Sequence, residues 1–222
     1  MSFSRRELLR RAGFLGVAAS VPVRVFASAQ LAPRTPLPWE TLTAPEAETL
    51  EAIVARLIPS DEHGPGALEA NAAHYVDRAL GGALASSRDA YRGGLAAVDA
   101  YARTSKGAAF ARLSHEQQDA VLTDMENDVA TGFTPNAATF FNLVRAHTIQ
   151  GTFCDPFYGG NTSFVGWDLI GYPGIRLAVA ASDQRLDPHL IPIHRSAYEF
   201  AMFSKKRPAR ASLPHGTIPH GD

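Results

Sequence analysis

The chain has 222 residues, 45% of them hydrophobic and 19% charged, with a formal net charge of −1. These values suit a folded globular protein of one domain. They give no support for nucleic-acid binding, because no basic stripe with interleaved aromatics occurs, and no run of 18 apolar residues predicts a transmembrane helix.

The amino terminus carries the pattern of an export signal. Ser4-Arg5-Arg6-Glu7-Leu8-Leu9 is a twin-arginine motif, with Arg5 and Arg6 as the pair. A weakly apolar run, Ala12 to Val23, follows it, and Ala27-Ser28-Ala29 offers a small-residue cleavage site after Ala29. Residues 1–29 are therefore read as a signal peptide. Its removal takes five of 21 basic and one of 22 acidic residues, leaving 16 against 21 and a net charge of −5. Twin-arginine export moves proteins already folded, commonly with a cofactor in place. The chain itself shows no G-x-G-x-x-G, no C-x-x-C-H and no cysteine set. The need for folded export then falls on a partner that travels with it.

Residues 30–42, with three prolines in Gln30 to Trp39, are expected to form an extended lead-in to a helical domain over 43–181. Thr43-Ala44-Pro45-Glu46 is a capping box with proline in the first turn. Leu50, Ile53, Val54, Leu57 and Ile58 follow at helical spacing, and the helix ends before Pro59. Asp61, Glu62 and His63 in the next loop are metal-ligand types. Three adjacent side chains rarely converge on one ion, so solvated charges and a capping role for Ser60 or Asp61 are the better reading.

A second helix is expected over Ala67 to Leu80, with Leu68, Ala72, Tyr75, Val76 and Ala79 on one face and His74 beside it. A third runs from Arg88 to Arg103, with Tyr91, Leu95, Val98 and Tyr101 spaced correctly and close helix packing as the reason for Gly93-Gly94. Ser114-His115-Glu116-Gln117 is a second capping box. The helix after it should bury Val121, Leu122, Met125 and Val129 and stop near Gly132. Thr134-Pro135 opens a fifth helix with Phe140, Phe141, Leu143, Val144 and His147 inward, His147 being packed and hydrogen-bonded rather than paired with Cys154 on a metal. No segment alternates with period two. The fold class is all-α: an irregular helical bundle of about five helices with a long, ordered Gly/aromatic loop near the carboxyl end.

That loop runs from Phe153 to Gly174, FCDPFYGGNTSFVGWDLIGYPG. It fits neither period, and it sets glycines beside large rings. Such a segment holds one shape only if its rings are buried, in this chain's core or against another protein. Beyond Gly174, Ile175 to Ala181 is expected to make a short helical turn. Residues 182–222 form a tail with a basic cluster at Ser204-Lys205-Lys206-Arg207, read as solvated.

The twin-arginine start, Leu57-Ile58-Pro59-Ser60-Asp61 with Pro65-Gly66-Ala67, Asp155-Pro156-Phe157-Tyr158-Gly159-Gly160-Asn161 and Gly166-Trp167-Asp168-Leu169-Ile170-Gly171-Tyr172-Pro173-Gly174 together resemble the gluconate 2-dehydrogenase subunit 3 family. These are the small, or gamma, subunits of membrane-associated FAD-dependent sugar and alcohol dehydrogenases. The resemblance implies a chain with no catalytic, cofactor-binding or metal residues of its own. It implies a large flavoprotein partner holding FAD, with or without an iron–sulfur cluster, and a multihaem cytochrome c partner holding haem. It implies an escort and stabiliser, exported to the periplasm with the flavoprotein and lying at the outer face of the inner membrane only through the complex. Glucose or a related aldose or polyol is the implied substrate. Cys154, Phe157, Tyr158, Trp167 and Tyr172 become the expected partner interface.

A single cysteine in an exported chain cannot close an internal disulfide. Cys154 is therefore either a small buried thiol or the donor of an inter-subunit disulfide. The competing readings are a stand-alone exported binding or structural protein and, less well supported, a small metal-dependent enzyme built on Asp61, Glu62, His63, His147 and Asp155.

Overall fold

The computed structural model describes residues 38–62, 64–185 and 190–203; the twin-arginine pair, the cleavage site after Ala29, most of the lead-in and the basic cluster at 204–207 lie outside them. Five long helices carry the fold, with no strand among the described residues: α1 (Ala44–Leu57), α2 (Ala72–Leu80), α3 (Arg88–Lys106), α4 (His115–Glu126) and α5 (Ala137–Phe153). A sixth, α6 (Val165–Leu169), is a single short piece inside the Gly/aromatic segment. The all-α bundle is as the periodicity predicts.

Both capping boxes form. The Glu46 carboxylate accepts from the Thr43 amide at 2.8 Å, and Ser114 Oγ accepts from the Gln117 amide at 3.3 Å. Ala47, Leu50, Ile53 and Val54 of α1 are buried against Val76 and Leu80 of α2, Tyr91, Leu95 and Val98 of α3, Val121 and Met125 of α4, and Phe140 and Val144 of α5. At roughly 1.5–3 kcal/mol per large apolar side chain, this burial is the bundle's main source of stability.

Five details depart from the sequence reading. The second helix begins at Ala72, not Ala67. The Ala67 amide donates to the Ile58 carbonyl at 2.8 Å, and Asn71 takes a left-handed conformation that breaks any earlier helix. Its inward face is Ala72, Ala73, Val76 and Leu80 with Asp77, because the buried Asp77 carboxylate accepts from the amides of Glu40, Thr41 and Leu42 at 2.7, 3.0 and 2.7 Å. That clasp pins the end of the lead-in, and Trp39 stacks on His74 with ring centres 3.9 Å apart. Val129 is 60% exposed, since α4 ends at Glu126 and the chain turns away. The fifth helix is capped by Asn136, whose side chain accepts from the Thr139 amide at 2.8 Å, rather than opened by Thr134-Pro135. Residues 175–180 form no helical turn; a 3-10 turn comes only at Ala181–Gln184.

Gly93 and Gly94 divide in role. A Cβ on Gly94 would lie 2.3 Å from the Phe140 ring, so this glycine admits α5, whereas Gly93 faces open space. His147 is buried and shares a hydrogen bond with the Tyr91 hydroxyl at 3.0 Å. Burial lowers the His147 pKa and raises that of Tyr91.

Candidate functional site

The last turn of an α-helix leaves its carbonyls without intrahelical donors. At the end of α5 the Gly/aromatic segment folds back and supplies them. The Asn161 amide donates to Gly151 O at 2.9 Å, Asn161 Nδ2 to Cys154 O at 2.8 Å, and Trp167 Nε1 to Phe153 O at 3.0 Å. Asn161 Oδ1 accepts in turn from the Gly166 amide at 2.8 Å. Two glycines make this approach feasible. A Cβ on Gly160 would sit 2.0 Å from Gly151 O, and one on Gly166 would sit 1.9 Å from Thr152 O. The glycines thus bring the chain's own backbones together.

Asn161, Ser163 and Phe164 all have positive φ, at 45°, 56° and 63°. Left-handed backbone at non-glycine residues costs on the order of 1 kcal/mol each, so the surrounding contacts must hold the turn. Those contacts are the Asn161 bonds and the Trp167 ring, which lies 5.2 Å from Phe164 and 4.9 Å, edge-on, from Tyr172.

The five expected interface residues are therefore not equivalent. Trp167 is 5% exposed and serves as the segment's own core; its remaining role is to position Tyr172, which is 37% exposed. Tyr158 is 45% exposed and its hydroxyl meets that of Tyr198 in a short hydrogen bond. That bond, with burial second, pushes the Tyr158 phenol up to about 12. Phe157 is half-buried, with its ring 4.2 Å from Tyr198. Cys154 is half-buried too, its thiol donating weakly to Gly151 O at 3.6 Å. Burial pushes the thiol up to about 11, which leaves it a poor nucleophile near neutrality.

Asn161, Asp155 and the tail residues Ser196 to Tyr198 have structural roles here that the sequence reading did not assign. Asn161 and Asp155 enter that reading only within the family motif and, for Asp155, as a metal-enzyme candidate. Asn161 had as its only signal the Gly-Gly-Asn run, since asparagine tolerates left-handed backbone. Asp155 accepts from Phe157 N at 2.9 Å and Ser196 Oγ at 2.6 Å through Oδ1, and from Ala197 N at 2.7 Å through Oδ2. Ser196, Ala197 and Tyr198 belong to the carboxyl-terminal tail, which nothing in the sequence places here. Together Asp155, Tyr158, Trp167, Tyr172 and Tyr198 border an open groove of about 360 Å³, and Ile170 at its rim is 59% exposed.

No cluster of three or more His, Cys, Asp or Glu side chains suited to a metal occurs among the described residues, and no described helix is long and apolar enough to cross a membrane. In the 59–66 loop Asp61 and Gly64 exchange backbone hydrogen bonds at 3.0 and 3.1 Å, and Ser60 Oγ accepts from the Gly66 amide at 3.1 Å; His63 lies outside the described residues.

The described residues thus form a helical scaffold that displays aromatic side chains around an open groove. Residues 44–174 match the family model described as gluconate 2-dehydrogenase subunit 3, more than half of the chain, and the chain belongs to that family. The family is a subunit of gluconate 2-dehydrogenase-type complexes, which is compatible with an accessory, non-catalytic place. Neither a curated protein nor a solved structure matches the chain.

Proposed function

We propose that this chain is the non-catalytic small subunit of a periplasmic FAD-dependent sugar dehydrogenase, oxidising glucose or a related aldose or polyol. It would escort and stabilise a flavoprotein that lacks its own export signal and carry it, folded, through the twin-arginine route. A multihaem cytochrome c would take the electrons onward and tie the complex to the outer face of the inner membrane. The observation that carries the reading is the extent of the family match. It runs through the bundle and the ring segment and stops at Gly174, so the matched range includes the positions of Tyr158, Ile170 and Tyr172. Exposed aromatic and aliphatic side chains on a rigid support are what an interface anchor requires.

The test is co-expression with the flavoprotein large subunit that this reading requires. Tyr158→Ala with Tyr172→Ala and Ile170→Ala should reduce association and export while leaving the small subunit folded, because all three side chains are exposed. Unchanged association and export would refute the reading, as would sugar oxidation by the purified small subunit alone. A disulfide from Cys154 to the flavoprotein is a finer form of the proposal. It requires assembly to uncover a half-buried sulfur. One heavy band on non-reducing electrophoresis, split by a thiol reagent, supports it; two bands without reductant remove it.

A further inference from the structure

We infer that residues 190–203 form a releasable strap, seated in cis on the face assigned above to the partner, and that docking requires the strap to lift. For the identity of the partner this rests on the proposed function; for the strap itself it rests on contacts within the chain.

The strap lies wholly outside the family match, whereas the face beneath it lies inside. It is attached at four places, the first being the Arg176 guanidinium, which donates to the Ile191 carbonyl at 2.9 Å. Ile193 N donates to Pro173 O at 3.0 Å, and the Ile193 carbonyl sits over Gly174 so closely that a Cβ there would be 2.2 Å away. The His194 ring stacks on Phe164 at 5.1 Å and meets the Asp168 carboxylate at 2.7 Å. Ser196 and Ala197 donate to Asp155, and Tyr198 covers Phe157.

Each attachment is polar or ring to ring, and each lies near solvent. Of residues 190–203 only Ser196 is buried, and none belongs to the apolar core of the bundle. None of the strap's large aliphatic side chains is buried: Ile191 and Met202 face outward, and Leu190 and Ile193 are only half-covered. Opening therefore breaks a few surface contacts and leaves the helix core intact. Segments of that kind open locally, well below the free energy of global unfolding.

What opening uncovers is specific. Asp155 loses two of its three donors and keeps only Phe157 N. The Phe157 and Phe164 rings each lose a covering ring. The bared face is thus an aromatic patch centred on a carboxylate in need of donors, and carboxylates accept strong charge-assisted bonds. A partner segment that fits it is a tight turn opened by a hydroxyl residue, with a free amide next and an aromatic ring two positions on, as Ser196 opens the 3-10 turn Ala197–Glu199. That is the chemistry of Ser196-Ala197-Tyr198, which fills the place in the unassembled subunit.

The experiment is amide exchange on the full chain, followed by titration with the flavoprotein. The Ala197 and Tyr198 amides should exchange on the order of 100-fold faster than those of Val144 and Thr148 in α5. Ser196→Ala should speed the strap by a further factor of about ten, the loss of one hydroxyl–carboxylate bond, with α5 unchanged. In the complex the strap amides should exchange faster still while Phe157 and Gly166 are protected. Tyr198→Ala, which also weakens the clasp, should bind the flavoprotein more tightly. Strap and α5 amides opening together would overturn the inference, as would weaker binding by both clasp variants or protection of the strap in the complex. If neither wild type nor variants associate with the flavoprotein, the docking partner and the need to lift both fall, and the exchange comparison alone decides whether the strap opens.

Discussion

The bundle and the segment after it are held by different forces. In α1 to α5 the spacing of Leu50, Ile53, Val54, Val121, Met125 and Val144 brings apolar faces together, and many side chains share the stabilisation. From Cys154 to Gly174 few side chains are buried, and three consecutive functions rest on single residues. Asn161 joins Gly151, Cys154 and Gly166; Gly166 admits the Thr152 carbonyl; Trp167 caps Phe153 and supports two other rings. Each region is therefore fragile in its own way. A distributed core tolerates the loss of a methyl group, whereas a segment hung on hydrogen bonds and contact distances does not.

The sharpest way to break the contrast is at Trp167. Trp167→Ala should reduce stability by about 3–5 kcal/mol, the range for deleting a buried aromatic, and leave Phe153 O without its donor. The loss should appear in the amide exchange of residues 161–172 before it reaches Leu50 and Ile53 in α1. An equal loss in both places would mean that segment and bundle unfold as one unit. Gly166→Ala should follow, at about 2–3 kcal/mol, because a methyl group placed 1.9 Å from a backbone carbonyl forces two main chains apart. Thermal unfolding followed by near-ultraviolet circular dichroism would report it through Trp167.

These sites also show what was legible in advance. The helices were, because burial against a neighbour imposes a period that one chain segment displays by itself; α1, with its capping box and Leu50, Ile53 and Val54, is the clearest case. The second helix was misplaced because its start depends on contacts remote in sequence, the Ile58 carbonyl and the lead-in held by Asp77. Nothing in the neighbourhood of Asp77 marks a carboxylate about to turn inward. The ring segment was legible as ordered and irregular, with its rings buried in this chain or against another, but what its glycines would touch was not. Their actual neighbours, Gly151 O and Thr152 O, are set by a fold-back that has no local signature. The same holds for Ser196, whose partner Asp155 lies 41 residues earlier.

A titration probes the buried histidine of α5. The folded pKa of His147 is lowered by burial below the unfolded value of about 6.5. Above that value both states are neutral, and the packing of His147 against Tyr91 is fully in place. As pH falls through about 6.5 the unfolded chain binds a proton that the folded chain resists, so stability declines, and the decline ends below the folded pKa. Urea midpoints measured between neutrality and mild acid should show this slope, and His147→Gln should flatten it. A slope unaffected by the substitution would assign it to other groups.

The smallest effect separates two adjacent glycines. Both lie inside α3, where glycine is less favourable than alanine by about 1 kcal/mol through backbone entropy. At Gly94 that penalty is outweighed, since a methyl group would meet the Phe140 ring at 2.3 Å. At Gly93 no atom lies within 4 Å of the Cβ position, so nothing offsets the penalty. Gly93→Ala should therefore raise stability by about 0.5–1 kcal/mol, a shift of a few degrees in the unfolding midpoint. Gly94→Ala should lower it by about 1–3 kcal/mol. If Gly93→Ala instead destabilises the isolated subunit, the exposed flank of α3 is covered in solution by something other than water. If it leaves the subunit stable but weakens the complex, the partner reaches beyond the ring segment onto α3, and the docking face is larger than residues 155–172.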